Sequence, residues 1–340
     1  MPPTPLIPCP PDDSNLLRIA GQTANQIAAQ AVLLEYRHRK APHTIRRQDA
    51  DLELFRQFLS EIGLAVGDFA DDPAAWQGIT WGLVSGFVKW QLKKGYAVSS
   101  VNIRLSTIKT YGKLAMQAGF LDPKEHALIK AVQGYSHKEG LRLDQERPHS
   151  RVGVKKPEAI PITLEQACDL KTQPDTPQGR RDALLMCLLL DHGLRVGEVA
   201  RLMVADIDFK QSLLKFNRPK VHKVQTHRLS ADARSSLDAC KKAGELISLG
   251  PLLRGSKKNS ALTGAGMTER AMTKRVRLLG ERAGIAGLSA HDCRHYWAST
   301  AAQKGTDPFA LQEAGGWSSL AMPRRYVENA KIANDGVKLE

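Results

Sequence analysis

The segment His291-Asp-Cys-Arg-His295 holds two histidines and an arginine at spacings that suit chemistry. Side chains three and four residues apart lie on the same face of a helix. Two histidines at this spacing could bind zinc, but Arg294 would repel a dication, and a zinc protease has glutamate directly after the first histidine. The segment therefore favours a histidine that exchanges protons beside an arginine that neutralises an oxyanion, with no metal.

Arg195 lies in the segment Gly193-Leu-Arg-Val-Gly-Glu198, at the end of a strongly apolar stretch. A guanidinium held there can bind phosphate through two parallel hydrogen bonds. For this segment taken alone, a structural ion pair with Glu198 is the favoured interpretation. Trp317 and Tyr326 follow near the end of the chain, and a lone tyrosine is usually a half-buried packing residue.

Composition indicates a folded protein with an anionic partner. The 340 residues include 49 Lys plus Arg against 35 Asp plus Glu, a net charge of +14, with 42% hydrophobic and 25% charged residues. Because Lys and Arg replace the counterions condensed on phosphate, this excess favours nucleic acid as the partner. The longest apolar run, Ala183–Leu190, is far shorter than the ~20 residues that span a bilayer. With no secretion signal, we expect a cytoplasmic, nucleoid-associated protein and no membrane partner.

The N-terminal half is predicted to be helical. Six prolines fall within the first eleven residues, so we expect a disordered, Pro-rich tail over residues 1–25. From 26 to 133 the apolar residues recur at helical spacing, as in Leu52, Phe55 and Leu59 before Gly63. Thr80 and Ser99 or Ser100 are candidate helix caps. The pattern predicts a bundle of about four helices over residues 26–133.

The C-terminal half is predicted to be mainly helical with one small antiparallel sheet. Residues 134–160 lack apolar periodicity and are rich in basic residues, which indicates a linker. After it, Thr163 and Gln166 form a capping box, and a buried helix ending near Gly193 is followed by a second over Val196–Met203. Residues 213–229 predict a hairpin interrupted near Pro219. Further helices are predicted at about 231–247, 268–284, 290–304 and 308–314.

Taken together, Arg195, the His291-x-x-Arg294 box, Trp317 and Tyr326 resemble the signature of the tyrosine recombinase (phage integrase) family. The helical first half, the linker, the Gly-Leu-Arg-Val-Gly-Glu segment and a hairpin carrying lysine also occur in that family's order. The resemblance covers about residues 26–335. It implies a core-binding, DNA-binding domain at 26–133 and a catalytic domain at 161–340.

The resemblance implies that Tyr326 attacks a DNA phosphodiester, forming a 3′-phosphotyrosyl link and freeing a 5′-hydroxyl. Arg195 and Arg294 would then stabilise the charge that develops on the non-bridging oxygens. Since a phenol has a pKa near ~10, a neighbouring base such as His291 is needed to take its proton.

The remaining positions of the signature imply supporting roles. Lys220 matches the family's hairpin lysine, which protonates the leaving 5′-oxygen, and Lys223 is the alternative. Trp317 can donate a hydrogen bond to phosphate or pack around Tyr326, but its indole cannot shuttle protons. Glu198 is expected to orient its neighbours, and His295, which matches the second histidine often found after the arginine, is expected to have a structural or supporting role.

The sequence contains no Walker A loop and no carboxylate cluster for magnesium, so neither a nucleotide nor a metal cofactor is expected. We therefore predict a site-specific recombinase or integrase that acts on duplex DNA containing a recombination site, as a homotetramer. Two alternatives remain: a catalytically silent DNA-binding protein of the same fold, and an enzyme that only relaxes supercoils, like type IB topoisomerases. Basic residues on helices, linker and hairpin are the candidate DNA contacts, although exposed helix faces or a solvated turn would explain them too: Arg46, Arg47, Arg104, Lys109, Lys155, Lys156 and Lys223.

Overall fold

The computed structural model describes residues 13–147 and 159–330, and the chain divides into two compact units, Met1–Lys155 and Lys156–Glu340. Helices dominate both units, and a small antiparallel sheet lies in the second, so the predicted fold class is confirmed. In the part of the chain that the structure describes, no helix is both long and apolar enough to cross a bilayer.

The first unit is built around a cluster of aromatic side chains. Its helices are α1 (Asp13–His38), α2 (Pro42–Glu61), α3 (Trp81–Lys93), α4 (Val98–Gln117), α5 (Pro123–Ala131) and α6 (His137–Glu146). Phe55 on α2 is fully buried, and its ring centroid lies 5.0 Å from that of Phe87 on α3 and 5.2 Å from that of Phe69. The apolar residues on α2 therefore lie on one buried face of the helix. The helix ends before Gly63, which has φ 85°, a conformation that residues with a side chain rarely adopt.

Several local predictions for this unit were wrong. The helix α1 begins at Asp13, so an unstructured tail is incorrect for residues 13–25. The helix α6 lies inside the expected linker, and a capping box of Ser136 and Glu139 starts it. Ala97, not Ser99 or Ser100, is the N-cap of α4. The remaining tail residues 1–12 and linker residues 148–158, including Lys155 and Lys156, lie outside the described residues.

The second unit surrounds one buried helix. Its helices are α7 (Leu164–Lys171), α8 (Pro177–Leu190), α9 (Val196–Val199), α10 (Ala231–Lys242), α11 (Glu269–Arg282), α12 (Ala290–Gln303), α13 (Pro308–Gly315) and α14 (Ala321–Ala330). Leu184, Leu185, Leu188 and Leu189 on α8 are fully buried, which explains why the apolar stretch is continuous rather than periodic. The capping box of Thr163 and Gln166 begins α7, as predicted.

The predicted hairpin is part of a three-stranded antiparallel sheet. The strands β1 (Ile207–Asp208), β2 (Leu213–Arg218) and β3 (Lys223–Arg228) lie in that order, and Arg218 pairs with Lys223 across a turn that begins at Pro219. A second antiparallel pair, β4 (Arg254–Ser256) and β5 (Leu262–Gly266), was not predicted. The helix expected over Val196–Met203 ends already at Val199, and α14 was not predicted at all.

Candidate active site

The histidines and the arginine of the His-x-x-Arg-His segment lie on α12, whose start is determined by Ser289. The Ser289 hydroxyl accepts a hydrogen bond from the Asp292 backbone N–H, and the Asp292 carboxylate accepts one from the Ser289 N–H. With the helix in this register, the Nε2 atoms of His291 and His295 lie 3.1 Å apart. The two imidazoles are thus neighbours, as their i, i+4 spacing predicts.

Tyr326 lies on α14 with its hydroxyl against α12. Its side chain is buried, and its Oη lies 2.9 Å from Nδ1 of His295. The ring centroids of Tyr326 and Trp317 are 5.9 Å apart. Burial raises the pKa of Tyr326 above its usual value, although Arg294 and Arg325 act in the opposite direction. The phenol is therefore neutral near neutral pH and needs a base before it can act as a nucleophile.

The histidine that contacts Tyr326 is not the one expected from the motif. His295, expected only to have a structural or supporting role, contacts the hydroxyl of Tyr326, whereas His291, expected to be the base, lies one hydrogen bond further away. Burial is the main cause that lowers the pKa of both histidines. The next cause is His291 for the pKa of His295 and Arg294 for the pKa of His291. Both imidazoles are consequently neutral near neutral pH and able to accept a proton.

Arg294 is a buried cation that main-chain oxygens hold in place. Its guanidinium donates to the carbonyl oxygens of Gly193 and Gly315 and lies 4.5 Å from the ring centroid of Trp317. Burial, together with Arg195 and Arg218, lowers its pKa to about 9. An anion beside this guanidinium would stabilise its positive charge, which burial and the neighbouring arginines disfavour.

Arg195 precedes the short helix α9 and forms the ion pair with Glu198 that its sequence context suggested. Its Nη1 donates to Glu198 Oε1 at 2.8 Å, so the ion pair is present, and its backbone N–H donates to the other carboxylate oxygen. Its Nη2 is 3.4 Å from the carbonyl oxygen of Gly316, and the side chain remains 29% exposed. The guanidinium is therefore positioned on the protein and accessible to a ligand.

Arg218 is a further site residue that the sequence analysis missed. It is the last residue of β2 and is fully buried, with Nη1 donating to Glu198 Oε2 at 3.0 Å and Nη2 donating to the Ala314 carbonyl at 2.7 Å. It also donates to Gln225 and to the Gly315 carbonyl. Period-two alternation was the available signal, because Leu214, Phe216 and Arg218 share the buried face of β2.

The two lysines considered for the leaving group lie at the tip of the same hairpin. Lys220 belongs to the turn Pro219–Val221, and its side chain lies outside what the structure describes. Lys223 starts β3, and its Nζ is 2.5 Å from Glu313 Oε1 on α13. Lys220 as the proton donor, with Lys223 as the alternative, therefore stays a prediction from the motif.

The glycine pair before Trp317 allows the close packing of the site. A Cβ atom on Gly315 would lie 2.0 Å from Cζ3 of Trp317, and Gly316 has φ 60° with its α-hydrogens against Arg218. The Trp317 ring stacks on Trp297 with centroids 6.0 Å apart. Trp317 therefore lies between Arg294 and Tyr326, in agreement with packing support for the tyrosine.

The candidate DNA contacts of the first unit are mostly engaged within the protein. Arg47 Nη1 lies 2.5 Å from the carboxylate of Asp51, and Arg104 Nε lies 3.8 Å from the same group. Lys109 donates to a main-chain carbonyl, whereas Arg46 is exposed. A freely solvated helix face therefore does not describe Arg47, Arg104 or Lys109.

Comparisons with known proteins show which family the chain resembles. Residues 162–332 match the phage integrase family. A tyrosine recombinase XerC of Thermodesulfovibrio yellowstonii is 24% identical over 297 residues, covering 84% of this chain and 85% of that protein. A tyrosine recombinase XerA of Thermococcus kodakarensis is 25% identical over 237 residues, covering 65% and 77%.

Solved structures share the fold. A lambda integrase fragment, residues 75–356, bound as a dimer to a COC′ core site superimposes with a TM-score of 0.61 at 15% identity, over 92% of this chain and 97% of that one. The Tn1549 transposon integrase in complex with circular intermediate DNA gives 0.59 at 16% identity, over 88% and 94%. The chain has the fold of a tyrosine recombinase. It belongs to the phage integrase family.

Across residues 13–147 and 159–330, no group of three or more His, Cys, Asp or Glu side chains is arranged to hold a metal ion. His291 and His295 contact each other, and His295 also contacts Tyr326.

Proposed function

We propose that this chain is a site-specific DNA recombinase or integrase that cleaves and rejoins duplex DNA through a 3′-phosphotyrosyl intermediate. The supporting observation is the arrangement around Trp317, whose ring contacts both the guanidinium of Arg294 and the ring of Tyr326. A neutral phenol with a base 2.9 Å away thus lies beside a buried cation. Nucleophilic attack on a phosphodiester needs both groups.

In the proposed reaction, Oη of Tyr326 attacks phosphorus and the bond from phosphorus to the 5′-oxygen breaks. Arg195 and Arg294 neutralise the charge on the non-bridging oxygens. The phenolic proton passes to the histidines of α12, and the 5′-oxygen takes a proton from Lys220, with Lys223 as the alternative donor. A 5′-hydroxyl then attacks the phosphotyrosine in the reverse sense and restores Tyr326.

We also propose duplex DNA as the substrate and a homotetramer as the recombining species. The net charge of +14 supports an anionic partner, and the lambda integrase and Tn1549 integrase structures are complexes with DNA. The lambda integrase has also been captured as a tetramer bound to a Holliday junction. In this proposal the helices α1 to α6 form the core-binding domain, and residues 161–340 form the catalytic domain.

Covalent capture tests the proposal. The protein is incubated with fragmented DNA from its source, without added metal or nucleotide, and quenched with detergent, and the attached DNA is sequenced. Tyr326→Phe removes the nucleophile, and Tyr296→Phe, on α12, is the matched control.

We expect adducts at one site with the native protein and the control, and none with Tyr326→Phe. Binding without an adduct would favour the catalytically silent alternative. Adducts that relax supercoils but never ligate to a second duplex would favour the topoisomerase-like alternative.

A further inference from the structure

A continuous line of hydrogen-bonding atoms leads from Tyr326 to the surface of the second unit. The phenolic Oη lies 2.9 Å from Nδ1 of His295, and Nε2 of His295 lies 3.1 Å from Nε2 of His291. The rings of the two histidines meet edge to face, with centroids 4.5 Å apart. Tyr326 is buried, and His291 is exposed.

We propose that His295 is the catalytic base for Tyr326 and that it passes a proton through its other ring nitrogen to His291. This inference rests on the proposed cleavage reaction and names the group that starts it. Of the two histidines, His295 is the one at hydrogen-bonding distance from the attacking oxygen, and geometry is the first requirement for a general base.

The proton balance of the relay determines the tautomers. Before attack, Tyr326 donates its O–H to the lone pair on Nδ1 of His295, and His295 donates its Nε2–H to Nε2 of His291. As the bond from Oη to phosphorus forms, Nδ1 gains the phenolic proton and Nε2 releases its own to His291. His295 ends neutral with its proton on Nδ1, and His291 ends as the imidazolium.

The surroundings of the two rings favour this final position of the charge. His295 is partly buried and faces the cations Arg294 on its own helix and Arg325 on α14, with Asp292 as the opposing carboxylate. It also lines a groove of about 880 Å³ with Lys171 and Asp191. His291 faces the cations Arg294 and Arg195 and the carboxylate of Asp292, and its exposed ring lets water solvate the positive charge.

Single-turnover cleavage tests the assignment, with the duplex identified by covalent capture as the substrate. His295→Asn keeps a hydrogen-bond acceptor for the tyrosine but cannot take up its proton. We expect cleavage to slow by about 100- to 1,000-fold, as for loss of a general base. His291→Asn removes only the last acceptor of the relay and should slow cleavage less than His295→Asn does. The control is His38→Asn, because His38 is exposed at the end of α1.

The pH profile and chemical rescue separate a base from a structural residue. The native rate should rise with pH and then level off as His295 becomes neutral, whereas the rate of His295→Asn should keep rising toward the pKa of the tyrosine. Imidazole in the buffer should rescue His295→Ala. A 5′-bridging sulfur, which leaves without a proton, should rescue Lys220→Ala but neither His295 variant.

Failure of the base assignment can be distinguished from failure of the proposed function. If His295→Asn cleaves as fast as the native protein, or loses less activity than His291→Asn, the assignment of the base is wrong although the cleavage reaction stands. If the native protein forms no adduct, the proposed function itself fails.

A measurement without DNA then still tests the contact. In protein labelled with ¹⁵N-histidine, Tyr326→Phe should move the Nδ1 resonance of His295 and leave that of His38 in place. An unchanged Nδ1 resonance would overturn the relay.

Discussion

Each half of the molecule contains a buried carboxylate that two arginines share. In the first unit the carboxylate is Asp51, which lies 2.5 Å from Arg47 and 3.8 Å from Arg104. In the second unit it is Glu198, which lies 2.8 Å from Arg195 and 3.0 Å from Arg218. We call these the Asp51 cluster and the Glu198 cluster.

The clusters differ in what else holds their arginines. In the Glu198 cluster, Arg218 is fully buried and donates to two main-chain carbonyls, and Arg195 approaches a third. In the Asp51 cluster, Arg47 is 43% exposed and Arg104 stacks on the ring of Tyr96 at 4.2 Å. Main-chain oxygens cannot move away, whereas the exposed side chain of Arg47 can reorient.

This difference matches the tasks that the proposed function gives to the two units. Transition-state stabilisation requires charges that are fixed before the reaction begins. Contacts with a DNA backbone instead benefit from arginines that can leave an internal partner for a phosphate. The following variants test the distinction, from the largest expected effect to the smallest.

Removing the cation from the Glu198 cluster should destabilise the fold strongly. Arg218→Met leaves Glu198 with one arginine partner and removes a donor to the Ala314 carbonyl, so we expect a loss of about 3–5 kcal/mol in the free energy of unfolding. Urea denaturation followed by circular dichroism measures it.

The double variant Glu198→Gln with Arg218→Met should lose less, because no uncompensated buried charge remains. Arg201→Met, an exposed arginine paired with Glu269, is the surface control. A loss for Arg218→Met as small as that of the control would show that the buried pair does not hold the site.

Removing the accessible arginine should affect chemistry more than stability. Arg195→Ala should slow single-turnover DNA cleavage by about 100- to 1,000-fold, the usual effect of deleting one oxyanion donor. Its unfolding transition should change little because the side chain is 29% exposed. Arg201→Ala is the control, and equal cleavage by both variants would remove Arg195 from the catalytic set.

The two arginines of the Glu198 cluster also show what the sequence could predict. Arg195 was identified because it occurs in the family's order with the His291-x-x-Arg294 box and Tyr326, whereas its own segment favoured an ion pair with Glu198. Arg218 was missed because an arginine next to Pro219 in a basic hairpin resembles a solvated residue. Its burial depends on Glu198 and on the end of α13, which are distant in sequence.

Helix capping shows the same limit. The capping boxes at Thr163 and Ser136 follow one pattern, but only the first was recognised, because basic and glycine residues around Ser136 hid the helix α6. That His295 rather than His291 contacts the hydroxyl of Tyr326 could also be seen only in the structure. The spacing places both histidines on one face of α12, and only the position of α14 determines which one reaches the hydroxyl.

The arginines of the Asp51 cluster should affect DNA binding through salt dependence. If Arg47 and Arg104 reach phosphates, Arg47→Ala and Arg104→Ala should each reduce the slope of log affinity against log salt by about one. Fluorescence anisotropy with a labelled duplex at several salt concentrations measures the slope.

Arg56→Ala is the matched control for that series, because Arg56 lies on the same helix as Arg47 and pairs with Glu53. Its slope should equal that of the native protein. Slopes for Arg47→Ala and Arg104→Ala that do not differ from the Arg56→Ala slope would assign the Asp51 cluster to stability alone.

Neutralising Asp51 should have the smallest effect and a characteristic pH dependence. Burial raises the pKa of Asp51 above 3.8 despite Thr107 and the two arginines, so the folded protein binds its proton more tightly than the unfolded chain does. The associated stability is present at low pH and is lost as pH rises through the raised pKa.

Asp51→Asn should therefore change the free energy of unfolding by no more than ~1 kcal/mol at neutral pH, because the amide keeps a hydrogen-bond acceptor for Arg47 and Thr107. Relative to the native protein, its stability should improve as pH rises from 4 toward 7. Urea denaturation across this range measures the difference. A variant that instead becomes relatively less stable with rising pH would mean that the Asp51 charge is held as firmly as that of Glu198, and the contrast between the two clusters would disappear.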